Sequence, residues 1–268
     1  MGNVVSIILA AGESKRIKST KSKIFHEVAE NSLIAYVYLT ARKISPKNIF
    51  FVCNKKNINQ ISKNFTQANI VLQNKPKGTA DAVLCTKNIL PKNKDVLILF
   101  GDVPLIESGS IKRLIKKHNV SNSIGCLLTF KAKHPLGYGR VEIAGNAVKK
   151  ITEEVQANKK IKQINLCNSG IMICNQNFLF ENLIKITNKN IKKEKFITDI
   201  FEIAYKSKKP FLFSMCSEKE LQGVNTREDL IQMDITIQNE IKKKLIQNGV
   251  TILQPETVRV SHDTKIAK

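Results

Sequence analysis

The sequence predicts an α/β fold built on a mainly parallel central sheet with helices on both of its faces. Through the first hundred residues, short apolar runs alternate with segments whose apolar residues recur at helical spacing, which gives the element order βαβαβαβ. Two of the apolar runs, residues 4–9 and 95–100, are typical of buried strands. Because ligands of open parallel sheets bind beyond the carboxyl ends of the strands, the loops after these runs are the expected place for a site.

The elements between those two strands follow in a regular order. Leu33, Val37 and Ala41 lie four residues apart and predict a helix over residues 32–44. The predicted elements that follow are a strand over 48–53, a short helix over 58–65, a strand over 70–72 and a helix over 79–90. Strand 95–100 then completes this part of the sheet.

The second half of the chain departs from plain alternation. The predicted elements are strands over 123–131, from residue 140, over 171–174 and over 211–215, with a helix over 196–205 that begins near Thr198. A long helix is predicted over 227–247, because Thr226 and Asp229 have the spacing of a capping box. We therefore divide the chain into a domain over 1–225, a helical arm over 226–250 and a linker-like tail over 251–268.

The strongly basic composition raises the question of nucleic-acid binding. The chain has 44 Lys and Arg residues against 22 Asp and Glu, a formal charge of +22. The basic residues are mostly Lys in short clusters such as 159–160, 192–193 and 242–244, and aromatic residues are only 6% with no Trp, so stacking platforms for single strands are scarce. We therefore expect a solvated basic surface that attracts polyanionic substrates, and no specific nucleic-acid partner.

Cysteine usage and hydropathy exclude several further classes of protein. The six cysteines occur singly and without a CxxC pair, which favours buried reduced thiols over zinc ribbons or thioredoxin-like chemistry. No apolar run approaches the length of a bilayer, so no membrane interaction is expected. The N-terminus lacks the basic region of a signal peptide, so we expect a cytoplasmic location.

The loop after the first strand has the composition of a phosphate-binding loop. Small residues at Ala10, Ala11 and Gly12 let backbone N–H groups approach an anion, and Arg16 and Lys23 add positive charge. The loop matches neither G-x-G-x-x-G nor G-x-x-x-x-G-K-[ST], which disfavours a dinucleotide-dependent dehydrogenase and a P-loop NTPase.

Two further loops follow strands of the same predicted sheet. Gln73 offers an amide that can pair with a donor and an acceptor on a base, and Gly78 with Thr79 opens the next helix, although an ordinary turn with Thr79 as N-cap explains that segment too. Asp102 directly follows the strand over 95–100. A carboxylate there suits Mg²⁺ bound to phosphates, and a turn aspartate is the alternative.

The second half supplies residues that could form a sugar pocket. Gly139 permits close approach of backbone to a ligand, although a hairpin entry explains it equally. Glu153, at the end of a short strand, and Asn168, before an apolar strand, could receive hydroxyl or amide groups. Asn225 lies just outside the long helix, where its amide is available to a metal or phosphate or serves simply in a turn.

The order of these motifs resembles that of the uridyltransferase domain of bacterial bifunctional N-acetylglucosamine-1-phosphate uridyltransferase/glucosamine-1-phosphate acetyltransferase. The resemblance covers about residues 4–250, and its motifs are LAAG, Arg16, Lys23, VLQ with GT, GDVPL, GYGR, Glu153, NSG, ITD and GVNTR. It implies a Rossmann-like nucleotidyltransferase fold. The implied roles are nucleotide binding for Leu9, Ala10, Ala11, Gly12, Gln73, Gly78 and Thr79, catalysis for Arg16 and Lys23, sugar binding for Gly139, Glu153 and Asn168, and Mg²⁺ binding for Asp102 and Asn225.

The implied reaction joins UTP and N-acetylglucosamine 1-phosphate into UDP-N-acetylglucosamine and pyrophosphate, for synthesis of cell-wall or lipopolysaccharide precursors. It needs no protein nucleophile and depends on positioning and charge stabilisation. Two alternatives stay open: a related nucleotidyltransferase with another sugar or base, and a non-catalytic basic nucleic-acid-binding protein.

The chain also departs from the family pattern. Ser14-Lys15 replaces Gly-Thr, Ser22 replaces a Pro, Pro76 replaces a Gln, residues 154–157 replace a Lys-Asp-Ala segment, and Gln222 replaces a Glu. Pro76 removes an N–H that could help to recognise uracil. No hexapeptide repeats precede the last residue, Lys268, so we expect no acetyltransferase activity, and trimerisation does not follow from the resemblance.

Overall fold

The computed structural model describes residues 3–12, 15–121, 123–188 and 194–266. The strands in these ranges are β1 Val4–Leu9, β2 Glu27–Val28, β3 Asn31–Ser32, β4 Ile49–Cys53, β5 Asn69–Leu72, β6 Asp95–Phe100, β7 Gly125–Lys131, β8 Arg140–Ala144, β9 Ala147–Thr152, β10 Leu166–Asn175 and β11 Leu212–Met215. The helices are α1 Leu33–Arg42, α2 Ile58–Asn64, α3 Thr79–Leu84, α4 Ser108–Val120, α5 Lys159–Lys162, α6 Gln176–Leu183, α7 Asp199–Lys206 and α8 Arg227–Gln247.

The main sheet has the strand order β5-β4-β1-β6-β10-β7-β11-β9-β8, and β2 pairs with β3 in a separate hairpin. Strands β5, β4, β1 and β6 are mutually parallel, with Ile7 of β1 opposite Phe50 on one side and Ile98 on the other. The predicted fold class and the βαβαβαβ order are confirmed. Because the four strands run in one direction, the loops after their carboxyl ends lie along one edge of the sheet.

Beyond β6, in the half of the chain that departs from plain alternation, the sheet becomes mixed. Strand β10 runs antiparallel to both β6 and β7, and β11 pairs parallel with β7. The register between β10 and β7 shifts between Asn168 and Met172, which marks a bulge. Since Met172 lies opposite Ile98, the bulged residues lie beside the carboxyl end of β6.

The core lies on both faces of the sheet, because successive residues of a strand point to opposite sides. Ile8, Phe51 and Leu99 pack with helices α1 and α4 on one face. Ile7 and Ile98 pack with α6 and α7 on the other. Each fully buried aliphatic or aromatic side chain of this kind contributes about 1.5–3 kcal/mol relative to its exposed state.

Helix α3 is shorter than predicted and ends at Leu84. The Thr86 hydroxyl donates to the Val83 carbonyl at 2.7 Å, and the Thr86 amide donates to the same carbonyl at 3.0 Å. A threonine side chain that binds nearby backbone in this way competes with continuation of the α-helix. The chain therefore passes into turns before it reaches the buried Leu90.

Helix α8 begins with the predicted capping box, in which Thr226 and Asp229 bind each other's backbone N–H groups. Met233 and Ile237 of α8 pack against Val28 of the hairpin. The tail returns along the helix, where the Gln238 side chain donates to the Val260 carbonyl at 2.8 Å and accepts from the Val260 amide at 3.0 Å. Among the described residues, no helix is both long enough and apolar enough for a membrane span.

Candidate active site

The loops that follow the parallel strands meet around a cleft of about 480 Å³. Its lining includes nine of the residues singled out in the sequence: Leu9, Ala10, Ala11, Gly12, Lys23, Gln73, Gly78, Thr79 and Asp102. The other lining residues are Ile24, Pro76, Ala82, Phe100 and Glu194, of which only Pro76 was singled out in the sequence, as a departure from the family pattern. The edge of the sheet chosen from the strand order is therefore the edge that carries the cleft.

The loop over residues 9–12 is held by the loop that follows β4. The Asn57 side chain, almost fully buried, donates to the Ala10 carbonyl at 2.7 Å, and the Asn54 side chain donates to the Ala11 carbonyl at 3.0 Å. With these carbonyls occupied, the loop backbone is fixed, and a Cβ on Gly12 would have no atom within 4 Å. Gly12 therefore faces open space. Glu13 and Ser14 lie outside the described residues.

Two polar side chains from distant parts of the sequence contact Lys23, and Arg16 joins the group through one of them. The Lys23 ammonium lies 2.5 Å from the Asp102 carboxylate and donates to Asn225 Oδ1 at 3.0 Å. Arg16 donates to the same Asn225 oxygen at 3.0 Å. The side chains of Lys23 and Asp102 are only 15% and 19% exposed. Two cations against one carboxylate give this group a formal excess of one positive charge, which favours an anionic ligand.

Backbone contacts explain how Asp102 and Asn225 reach each other. The Val224 amide donates to the Asp102 carbonyl at 3.0 Å, which joins the loop after β6 to the start of α8. The Asp229 carboxylate accepts from the amides of Asn225 at 2.8 Å and Thr226 at 2.9 Å. The capping box that begins α8 therefore also fixes the backbone of Asn225.

The side-chain amide of Gln73 has fewer groups available to a ligand than the residue type suggested. Its Nε2 donates to Asp81 at 2.8 Å and to the Gly78 carbonyl at 3.3 Å, so both amide hydrogens are used within the protein. Only the side-chain carbonyl is left for a base, and the expectation of paired donor and acceptor contacts from Gln73 is corrected accordingly.

Gly78 and Thr79 contact residues 195 and 197, which lie just before helix α7. The N-cap of α3 is Gly78, so the alternative that Thr79 is the N-cap is wrong. The Thr79 hydroxyl instead accepts from the Ile197 amide at 3.0 Å. Gly78 has φ +112°, and a Cβ there would lie 2.4 Å from the Lys195 carbonyl oxygen. Only glycine fits this position without moving backbone.

The three predicted sugar-binding residues are also brought together. The Asn168 amide donates to the Gly139 carbonyl at 2.9 Å. A Cβ on Gly139 would lie 3.5 Å from Glu153 Oε2 and 3.6 Å from the Asn168 Cβ. A Cβ on Gly170, in the bulge of β10, would lie 2.4 Å from a ring carbon of Phe100. Gly139, Glu153 and Asn168 are not among the residues that line the cleft, but Gly170, two positions after Asn168, contacts Phe100, which does line it.

The neighbouring ionisable groups have shifted pKa values. Burial, and then the charge of Glu153, raise the pKa of Asp199. Burial alone would raise the pKa of Glu154, but its contacts with the Arg140 guanidinium, which lies 2.8 Å away, and with the Gly137 amide lower it. Arg140 is buried, so this ion pair fixes the loop that carries Gly139.

The geometry of the site agrees with the family and the relatives to which the chain is similar in sequence. A family model described as nucleotidyl transferase matches residues 5–235. The bifunctional protein GlmU of Thermosipho africanus is 35% identical over 263 residues, which cover 98% of this chain and 57% of the relative. The corresponding protein of Agrobacterium fabrum is 32% identical over 268 residues, or 98% of this chain and 59% of the relative. The chain thus spans less than two thirds of the length of these curated relatives.

Solved structures support the fold. A UDP-glucose pyrophosphorylase complexed with UDP-glucose superposes with a TM-score of 0.70 at 16% identity, covering 91% of this chain and 100% of that one. The inositol-1-phosphate CTP transferase of T. maritima gives a TM-score of 0.67 at 15% identity, covering 85% of this chain and 91% of that one. At such identities the likeness concerns the fold alone.

Proposed function

The chain belongs to the nucleotidyl transferase family, and we propose that it transfers the uridylyl group of UTP to N-acetylglucosamine 1-phosphate, releasing pyrophosphate. The observation that carries the proposal is the convergence of Lys23, Arg16, Asp102 and Asn225 at a cleft lined by the loop over residues 9–12 and by Gln73. The sequence similarity to bifunctional GlmU proteins supports the choice of substrates. The nucleotidyltransferase domain is proposed to cover residues 1–225, followed by the arm over 226–250 and the tail.

In the proposed reaction, a phosphate oxygen of the sugar phosphate attacks the α-phosphorus of UTP. One phosphorus–oxygen bond forms, the bond to pyrophosphate breaks, and no protein atom is covalently modified. The contribution of the chain is to position two anionic substrates and to offset charge on the phosphates. Arg16 and Lys23 supply that charge, and the backbone of the loop over residues 9–12 approaches the phosphates closely.

Asp102 and Asn225 suit a divalent cation. Their oxygens, one carboxylate and one amide, both face the Lys23 ammonium, so they converge on a position that already holds a positive charge. Hard oxygen donors are the ligands of Mg²⁺, which commonly takes one or two protein carboxylates and completes its shell with phosphates and water. Among the described residues no group of three or more His, Cys, Asp or Glu side chains could hold a metal. When bound, Mg²⁺ would neutralise phosphate charge.

The recognition of the two substrates is assigned to different ends of the site. We assign the uracil to Gln73, Gly78 and Thr79, and the N-acetylglucosamine to Gly139, Glu153 and Asn168. Pro76 lines the cleft and has no N–H, so base recognition rests on fewer donors than a glutamine at that position would allow. This observation makes a related enzyme with another base the second candidate.

The experiment is a matrix of pyrophosphate release. The purified chain is supplied with Mg²⁺, each of the four nucleoside triphosphates, and the 1-phosphates of N-acetylglucosamine, glucosamine or glucose. Release confined to UTP with N-acetylglucosamine 1-phosphate is expected. Release with another pair would reassign the substrates, and no release from folded protein with any pair would refute the proposal.

A further inference from the structure

One segment of the chain contacts both ends of the site. It comprises residues 194–198 and is called here the bridging segment. The Lys195 amide donates to the Lys77 carbonyl at 2.8 Å. The Lys195 carbonyl accepts from the Ala80 amide at 3.0 Å. Together with the contact between Gly78 and the Lys195 backbone, these bonds fix the segment to the loop assigned to the uracil.

The other end of the bridging segment reaches the residues assigned to the sugar. The Thr198 hydroxyl donates to Glu153 Oε1 at 3.0 Å, and Thr198 is only 6% exposed. Between the two ends, the Ile197 amide donates to the Thr79 hydroxyl at 3.0 Å. The distance between Glu153 and the uracil loop is therefore set through a short run of hydrogen-bonded residues.

Thr198 does not perform the local task that its position would suggest. It is the N-cap of α7, where a threonine hydroxyl usually accepts from an amide of the first helical turn. No side-chain capping bond is present at Thr198, and the hydroxyl is directed to Glu153 instead. The backbone angles of Thr198, φ −62° and ψ −19°, are helical and differ from the extended ones of a capping residue, so its hydroxyl is available to Glu153.

The charges around Glu153 explain what the hydrogen bond from Thr198 would contribute. Asp199 is the first residue of α7, and its pKa is raised by burial and by the Glu153 carboxylate, so the two carboxylates repel each other. Repulsion of this kind favours rotation of Glu153 away from α7. A hydroxyl donor on the α7 side opposes that rotation and stabilises the charged form of Glu153.

We propose that Thr198 is a positioning residue for the sugar substrate, which acts by holding the Glu153 carboxylate in place. The inference rests on the proposed function, because it takes Glu153 as a contact of the N-acetylglucosamine. It assigns Thr198 no contact with the reacting phosphates. Loss of the hydroxyl should therefore affect the sugar phosphate and leave the nucleotide largely unaffected.

The first test compares Michaelis constants for the two substrates. Thr198→Val keeps the shape of the side chain and removes the donor, and we expect the KM for N-acetylglucosamine 1-phosphate to rise about tenfold, as for a lost hydrogen bond to a charged group. The KM for UTP should change less than about twofold if Thr198 acts through Glu153 alone. Thr198→Ser restores the hydroxyl and should return the sugar KM to within about threefold of the wild-type value.

The second test measures whether Thr198 acts through Glu153. Calorimetry gives the affinities for UDP-N-acetylglucosamine and for UDP, with Thr198→Val, Glu153→Ala and the double variant. Thr198→Val should weaken binding of the UDP-sugar by about tenfold and leave UDP unchanged, and should have no further effect once Glu153 is replaced. Thermal unfolding of each variant verifies that it is folded.

The possible outcomes separate the two proposals. Equal effects of Thr198→Val on sugar and nucleotide, failure of Thr198→Ser to rescue, or additive losses in the double variant would overturn the role of Thr198. Wild-type protein that neither binds UDP-N-acetylglucosamine nor releases pyrophosphate from its precursors would overturn the proposed function, and the inference with it.

Discussion

Replacement of Lys23 by Met tests the centre of the site most directly. The ammonium lies 2.5 Å from the Asp102 carboxylate and 3.0 Å from Asn225 Oδ1, with less than a fifth of either charged side chain exposed. In so sheltered a position, loss of one preorganised charged donor to the transition state typically lowers turnover by about 10²–10³-fold, or about 2.7–4 kcal/mol. Met preserves most of the apolar stem, so the loss is chiefly that of the charge.

The same substitution removes a partner from Asp102. Arg16 still donates to Asn225, but the Asp102 carboxylate loses its ion pair in a mostly buried position. We expect the free energy of unfolding to fall by about 1–3 kcal/mol, the usual cost of a partly desolvated group left without its partner. Stability is measured by urea unfolding followed by circular dichroism, and kcat and KM by pyrophosphate release.

Lys21→Met is the matched control, because it removes the same charge two residues away. Lys21 pairs with Glu27 at 3.1 Å, but their side chains are 44% and 58% exposed, and such surface pairs contribute at most about 1 kcal/mol. The control should keep kcat/KM within about threefold of the wild-type value if long-range charge is screened. A Lys23→Met enzyme within tenfold of wild-type kcat/KM, or a control equally impaired, would refute the reasoning.

Two further predictions concern stability. Gly78→Ala should lower the free energy of unfolding in urea by at least about 2 kcal/mol more than the control Gly249→Ala. Both glycines have positive φ, but only at Gly78 would a Cβ lie against backbone. Equal losses in the two variants would contradict this prediction. Asp199→Asn should raise the melting temperature at pH 7, because the raised pKa of Asp199 makes its carboxylate unfavourable to folding above that pKa. The gain should shrink as the pH is lowered towards 4, where the folded protein keeps the proton, and a gain that grows on acidification would contradict the sign of the shift.

The parallel half of the sheet could be predicted because the sequence signals of its strands and helices each lie within one element. The apolar run over 4–9 and the helical spacing of Leu33, Val37 and Ala41 each lie within one element, and the rule for open sheets then places the loops at one edge. Helix α4 was missed although its buried Ile111, Leu114 and Ile115 recur at helical spacing, so the signal was present.

The rest of the site depends on contacts that the sequence does not disclose. Thr79 and Ile197 are 118 positions apart and meet only because the chain returns to the cleft through the bridging segment. Asn54 and Asn57 follow β4 like ordinary turn residues, and their hydrogen bonds to the loop over residues 9–12 become visible only when β4 lies beside β1. Asparagines that hold a neighbouring loop in this way cannot be distinguished from ordinary turn residues by sequence alone.

The departures from the family pattern differ in consequence according to where they fall. Ser22, which stands where the family has proline, has φ −59°, within the range that a proline ring imposes. The backbone that leads into Lys23 therefore retains the proline-like conformation, and the substitution acts mainly by giving the unfolded chain more freedom. Pro76 has the opposite effect, because it lines the cleft itself and removes a donor from it. The backbone before Lys23, the proposed catalytic residue, thus keeps its conformation, whereas the proposed base recognition is left to Gln73, Gly78 and Thr79. For this reason the nucleotide arms of the assay matter more than the sugar arms.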